Sequence, residues 1–174
     1  MGWDFWQHSW GAAVAAKAIA LQSDYQSSDE AFTCALLHDL GKIVMMRNRT
    51  EMFGSVVDEV LRGEATFRQA EMRIFGFTHA QVGAIMALKW RFPPQLVEGI
   101  LYHHDPGSAS KHARLATIVC FANLMMLYLG IGIEKDHSLN LEEQDSARAL
   151  SLDGPSIEKL LSGVETLMSS MPPF

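Results

Sequence analysis

The chain has 174 residues, 48% hydrophobic and 20% charged, which suits one globular domain with a sizeable core. Its formal net charge is −6 and its 14 basic residues are scattered, so it lacks the basic stripe that DNA binding needs. The two cysteines, Cys34 and Cys120, sit in apolar helical runs and read as buried free thiols of a reducing, cytoplasmic compartment, with a disulfide as the alternative.

In chain order the pattern is helix after helix with almost no strand signal. Residues 3–21 are Ala-rich with apolar positions at helical spacing. A polar break follows, and Asp29 is placed to N-cap a helix over 30–38 that Gly41 then stops. Further helices are expected over 50–62, ended by Gly63, and over 66–75, ended by Gly76. Thr78 caps one over 79–90, and Pro93-Pro94 opens another that runs to His103 or His104. Asp105-Pro106-Gly107 terminates it. The apolar run over 111–129 contains Asn123, small residues and methionines; it reads as a central core helix rather than a membrane span. A partly helical stretch over 141–149, a final helix over 155–168 and a short frayed tail over 171–174 complete the chain. The expected fold class is all-α, a non-repetitive multi-helix bundle in one domain.

Seven histidines are present, and five of them fall on helices or at helix ends: His8, His38, His79, His103 and His104. Neighbours on a continuous helix point about 100° apart. His38-Asp39 and His103-His104 therefore reach a common site best where the backbone turns away at a helix end. His8 shares a stripe with Gly11, Ala12 and Ala15, small residues that admit a second helix closely. One histidine alone reads as an ordinary core or surface residue. Several helix-terminal imidazoles with a carboxylate are costly to bury without a shared cation, which makes the set a candidate metal cluster. His112 and His137 lack that context and read as solvated. Trp3, Phe5, Trp6 and Trp10 read as anchors of the first helix, with an exposed partner surface as the alternative. The methionines read as core fillers.

The stretches Phe5-Trp6-Gln7-His8-Ser9, Ala35-Leu36-Leu37-His38-Asp39-Leu40-Gly41-Lys42, Glu71 with Phe75-Gly76-Phe77-Thr78-His79, and Tyr102-His103-His104-Asp105-Pro106 together resemble the HD superfamily. The resemblance is strongest to its HDOD branch, the HD-related output domains of bacterial signalling proteins. It implies an HD-domain-like bundle and a signalling role with partner domains or proteins. HDOD modules usually carry a further helical half before the Phe5-Trp6 segment, so this chain is expected to correspond to the C-terminal, HD-like portion. More distantly the pattern is similar to HD-GYP phosphodiesterases, which hydrolyse cyclic dinucleotides at a centre of two or three metals.

Carried over residue by residue, that likeness implies His8, His38, Asp39, His79, His103 and His104 as metal ligands and Lys42 as a group that stabilises phosphoryl charge. The late Asp of the pattern is Asn123 here, and no Gly-Tyr-Pro follows His104. Asp4, one turn before His8, offers an extra carboxylate. Asp39 is expected to bridge two ions, with His8, His38 and Asn123 on one side and His79, His103 and His104 on the other. Imidazole ligands favour Fe, Mn, Ni or Zn over Ca or Mg, in one or two copies. Two function classes follow: an output module that binds metal and turns over little, or a metal-dependent phosphohydrolase in which Asp39 and Lys42 are catalytic. A nucleotide or phosphate ligand and a homodimer complete the expected partners.

Overall fold

The computed structural model describes residues 2–170, so the expected tail over 171–174 lies outside the described residues. The fold is all-α: α1 (Gly2–Gln22), α2 (Ser28–Leu37), α3 (Leu40–Asn48), α4 (Thr50–Leu61), α5 (Phe67–Phe75), α6 (His79–Lys89), α7 (Pro94–Tyr102), α8 (Ala113–Leu129), α9 (Asp145–Ala149) and α10 (Gly154–Ser169). A 3-10 turn, Pro106–Ser108, joins α7 to α8. Among the described residues no helix is long and apolar enough to cross a membrane.

The Ala-rich face of α1 sets the packing. Ala12, Ala13, Ala15 and Ala16 are fully buried, and their small side chains let α2 and α8 approach closely. At Gly11 a Cβ would stand 2.6 Å from the Met126 sulfur on α8, so a larger residue here would require the Met126 side chain to shift. The main core joins α1, α2, α6, α7 and α8 with α9 and α10 closing one side, and Phe121, Ile118, Met125 and Met126 of α8 run through its centre. Each such side chain contributes about 1.5–3 kcal/mol relative to exposure. A second cluster gathers Phe5, Met45, Phe53, Val56, Val57 and Phe67 from α1, α3, α4 and α5. Its rings pack around Phe5, whose centroid is 6.1 Å from Phe53 and 6.2 Å from Phe67. The polar cluster described below lies between these two cores.

The capping signals largely hold. Thr66 Oγ1 accepts from Gln69 N while Gln69 Oε1 accepts from Thr66 N, starting α5. Gly76 ends α5 at φ 77°, and Gln81 Oε1 accepts from Thr78 N at the start of α6. Glu98 accepts from the amides of Lys111 and His112, so α8 begins two residues later than the apolar run suggests.

Three expectations are corrected. Asp29 does not cap α2: Ser27 holds that position, and Asp29 lies in the first turn with its carboxylate on Lys17 Nζ at 2.6 Å. Gly41 does not stop a helix. The break falls earlier, at His38-Asp39, and Gly41 lies inside α3, an element the sequence pattern did not reveal. Its role is close approach: a Cβ there would stand 1.9 Å from His79 O and 2.9 Å from Gly83 N, both main-chain atoms of α6. The aromatic N-terminus is divided. Phe5 is a core anchor and Trp10 meets Phe32 edge-on at 5.6 Å, whereas Trp3 and Trp6 are 37% and 43% exposed. Cys34 and Cys120 are both free.

The α3–α6 contact brings Asp39 to His79, so Gly41→Ala is expected to force these helices apart. Because the clash is with backbone, the cost should reach or exceed the upper end of the about 1–3 kcal/mol typical of overpacking. Urea melts of wild type and variant check this; an unchanged midpoint would show that the helices have slack here.

Candidate metal centre

The side chains of the cluster come from several pieces of the bundle. His8 comes from the middle of α1 and Lys42 from the first turn of α3. His38 and Asp39 occupy the two-residue break between α2 and α3, where the chain leaves one helix axis before joining the next. Both side chains can therefore face the same point, which adjacent residues within one helix cannot do. His79 is the first residue of α6, His103 and His104 follow the last turn of α7, and Asn123 is buried on α8.

Asp39 lies at the centre, 4% exposed. Its Oδ2 is 3.6 Å from His8 Nε2, 3.5 Å from His38 Nε2 and 2.8 Å from Lys42 Nζ. Its Oδ1 is 3.2 Å from His79 Nε2 and 4.0 Å from His103 Nε2. The imidazole nitrogens also crowd one another: His8 and His38 Nε2 are 3.3 Å apart, His79 and His103 Nε2 3.4 Å, His79 and His104 Nε2 3.0 Å. Two trios result, His8–His38–Asp39 and His79–His103–His104, and within each the ligand atoms lie within 4.8 Å of one another. Asp4 joins neither trio. His112 and His137 stay outside the cluster, the latter donating Nδ1–H to Tyr128 O.

The far sides of four of the rings are pinned. His8 Nδ1 donates to Ile131 O at 3.0 Å, His38 Nδ1 to Ala35 O at 2.6 Å and His103 Nδ1 to Ile100 O at 2.7 Å. His79 Nδ1 donates to Glu71 Oε2 at 2.7 Å. These bonds place the ring protons on Nδ1 and leave the inward Nε2 atoms as lone-pair donors, the arrangement that metal-ligating histidines adopt. Burial reinforces it: desolvation takes His8 down to about 4 and holds His79, His103 and His104 well below the ordinary imidazole range. Burial works to raise Asp39, but His38, Lys42, His79 and His8 outweigh it and keep the carboxyl far below its usual range.

Asp39 Oδ1 is buried without a hydrogen-bond donor. An ionised carboxylate oxygen facing inward imidazole lone pairs is unfavourable unless a cation stands between them. The donor set therefore fits a divalent ion, and nitrogen-rich ligation suits Fe, Mn, Ni or Zn better than Ca or Mg.

A cavity of about 210 Å³ opens onto this cluster, lined by His8, Asp39, Lys42, His104 and Asn123. Lys42 is itself buried, paired to Asp39 Oδ2 and seated over the Phe67 ring at 4.2 Å. Phe67, Arg68 and Glu134 also line the wall, and none of them was singled out by sequence. Glu134 Oε2 accepts from Phe67 N at 3.3 Å at the start of α5. It sits on the segment after α8 whose Gly132, at φ 115°, presses against His8. A residue this far along the chain from its partners leaves no local signal. Glu71 was named only within the family-resembling stretch; periodicity is silent on its link to His79, because the left-handed Gly76 intervenes.

The HDOD domain family matches residues 3–106. The chain belongs to the HDOD family. An HDOD domain protein of unknown function from Geobacter sulfurreducens is 30% identical, with a TM-score of 0.78 over 94% of this chain and 62% of that one. A protein from Marinobacter aquaeolei assigned to signal transduction has a TM-score of 0.80 at 19% identity, over 96% of this HDOD chain and 37% of its own. An uncharacterised protein of Treponema pallidum is 25% identical over 126 residues, 69% of this chain; the chain spans 25% of that relative's length.

The depressed imidazoles give the metal-free protein an acid lability. His8 binds its proton at about 4 when folded against 6.5 in the ordinary state, so the unfolded chain holds more protons between those values. Stability is then present above about pH 6.5 and lost as pH falls towards 4, by about 3 kcal/mol for His8 alone. Unfolding free energies of chelator-treated protein at pH 7, 5.5 and 4.5 test this, and a flat profile would contradict neutral buried imidazoles.

Proposed function

We propose that this HDOD chain is a cytoplasmic signal-transduction output module whose His/Asp cluster binds one or two divalent transition-metal ions and turns over little or no substrate. It acts through partner domains or proteins, and a homodimer is consistent with the apolar side chains left exposed on α1 and α3. The observation that carries the metal reading is the convergence of inward Nε2 atoms on an Asp39 oxygen that lacks a donor.

Asn123 supports unequal sites. It offers an oxygen but no charge to the His8–His38 side, where half of one shared carboxylate remains. The His79–His103–His104 trio keeps all three imidazoles. One tightly held ion and one weak or absent ion are expected.

Phosphohydrolysis of a cyclic dinucleotide or another nucleotide phosphoester is the second reading, favoured by Asp39 and Lys42 lining one cavity. A bound divalent ion supplies Lewis acidity at phosphoryl oxygens. The cavity of about 210 Å³ is smaller than the roughly 300–1,000 Å³ that encloses a drug-sized ligand, and it adjoins a wider groove that shares Thr66, Arg68 and His104 with it.

Protein purified without chelator or nickel affinity is expected to carry about one equivalent of transition metal, as read by elemental analysis. Supplied with Mn(II) or Fe(II), it should leave cyclic di-GMP and a generic bis-phosphodiester intact. Turnover that disappears in Asp39→Ala would overturn the low-turnover reading. Activity appearing in Asn123→Asp would identify the missing carboxylate as what silences the site.

A further inference from the structure

His8, His38 and His103 turn Nδ1 to main-chain carbonyls, whereas His79 meets a carboxylate. Glu71 is fully buried, and its Oε2 accepts both the His79 amide at 2.9 Å and His79 Nδ1–H at 2.7 Å. The corner between α5 and α6 builds this contact: Gly76 reverses the chain at φ 77°, and the first amide of α6 then points back at the α5 carboxylate. A helix N-terminus favours a negative charge at that position. The amide donates to Oε2, and an ionised Glu71 then accepts the second proton of the pair from Nδ1–H. Glu71 Oε1 has no hydrogen-bond partner. Leaving a carboxylate buried and half-satisfied is costly where a neutral amide would serve the packing. The two groups bonded to the Glu71 carboxylate are the His79 amide and the His79 ring.

We propose that Glu71 is a positioning residue for the metal centre: it fixes His79 as the Nδ1–H tautomer and, through its charge, strengthens Nε2 as a donor to a divalent transition-metal ion in the His79–His103–His104 trio. This rests on the metal-binding reading above. His79 is the ring most in need of such control, because its Nε2 faces Asp39 Oδ1, His103 Nε2 and His104 Nε2 at once. A proton on Nε2 would close the trio to a cation, and the carboxylate behind the ring disfavours it. A purely architectural role would be met equally by glutamine, which retains the shape and an accepting oxygen.

The test compares wild type with Glu71→Gln, using Co(II) as the probe. Wild type should bind Co(II), and Glu71→Gln should bind about 10–100-fold more weakly while the metal-free melting temperature is not lowered. Imidazole ¹⁵N–¹H correlation spectra of metal-free wild type should show His79 protonated on Nδ1, a readout that survives if the variant fails to fold. Equal Co(II) affinity in the two proteins, or a His79 protonated on Nε2 in wild type, would overturn the proposal. Absence of Co(II) uptake by wild type would instead overturn the metal reading itself, and the donor role of Glu71 with it.

Discussion

One buried carboxylate organises this protein. Asp39 sits between the two hydrophobic cores with Oδ2 on Lys42 and Oδ1 without a donor, facing nitrogen atoms from three other helices. Isolated burial of such a charge costs several kcal/mol. The Lys42 ammonium lowers that cost at Oδ2. What remains uncompensated is an inward cleft of lone pairs.

Much of the bundle's geometry serves that cleft. The alanines of α1 let α2 come close enough for His8 and His38 to meet, and Gly41 lets α3 reach the start of α6, where His79 begins. Main-chain carbonyls at Ala35 and Ile100 lie three residues before the rings they hold, so His38 and His103 are oriented by their own helix ends. His8 and His79 are mid-helix or helix-initial and have no such local partner. They are held instead by distant groups, Ile131 and Glu71. The same physical need is met locally where a helix ends and through tertiary contact where it does not.

That division also marks what could be read from sequence. The helices, most of their caps and the ordered histidines were legible, because 3.6-residue periodicity and capping residues are local signals. His8, His38, Asp39, His79, His103 and His104 all come together, and Asn123 lines the same cavity. Helix α3 was not legible, since Gly41 looks like a stop and the reason for it, the His79 carbonyl 1.9 Å from where a Cβ would be, lies on another helix. The pairing of Lys42 with Asp39, the carboxylate of Glu71 behind His79 and the Glu134 wall were equally hidden, each depending on how the helices pack. Trp3 and Trp6 illustrate the converse: their apolar character suggested core, yet the neighbouring Phe5 is the one buried there.

The most direct measurement is a crystal structure of protein purified without chelator, with anomalous data collected across the Fe, Mn, Ni and Zn edges. An anomalous peak at ligand distance from the Nε2 atoms of His79, His103 and His104 is the result this account predicts. Full-occupancy protein with no anomalous peak in the cluster, even after soaking in the metal, would contradict it.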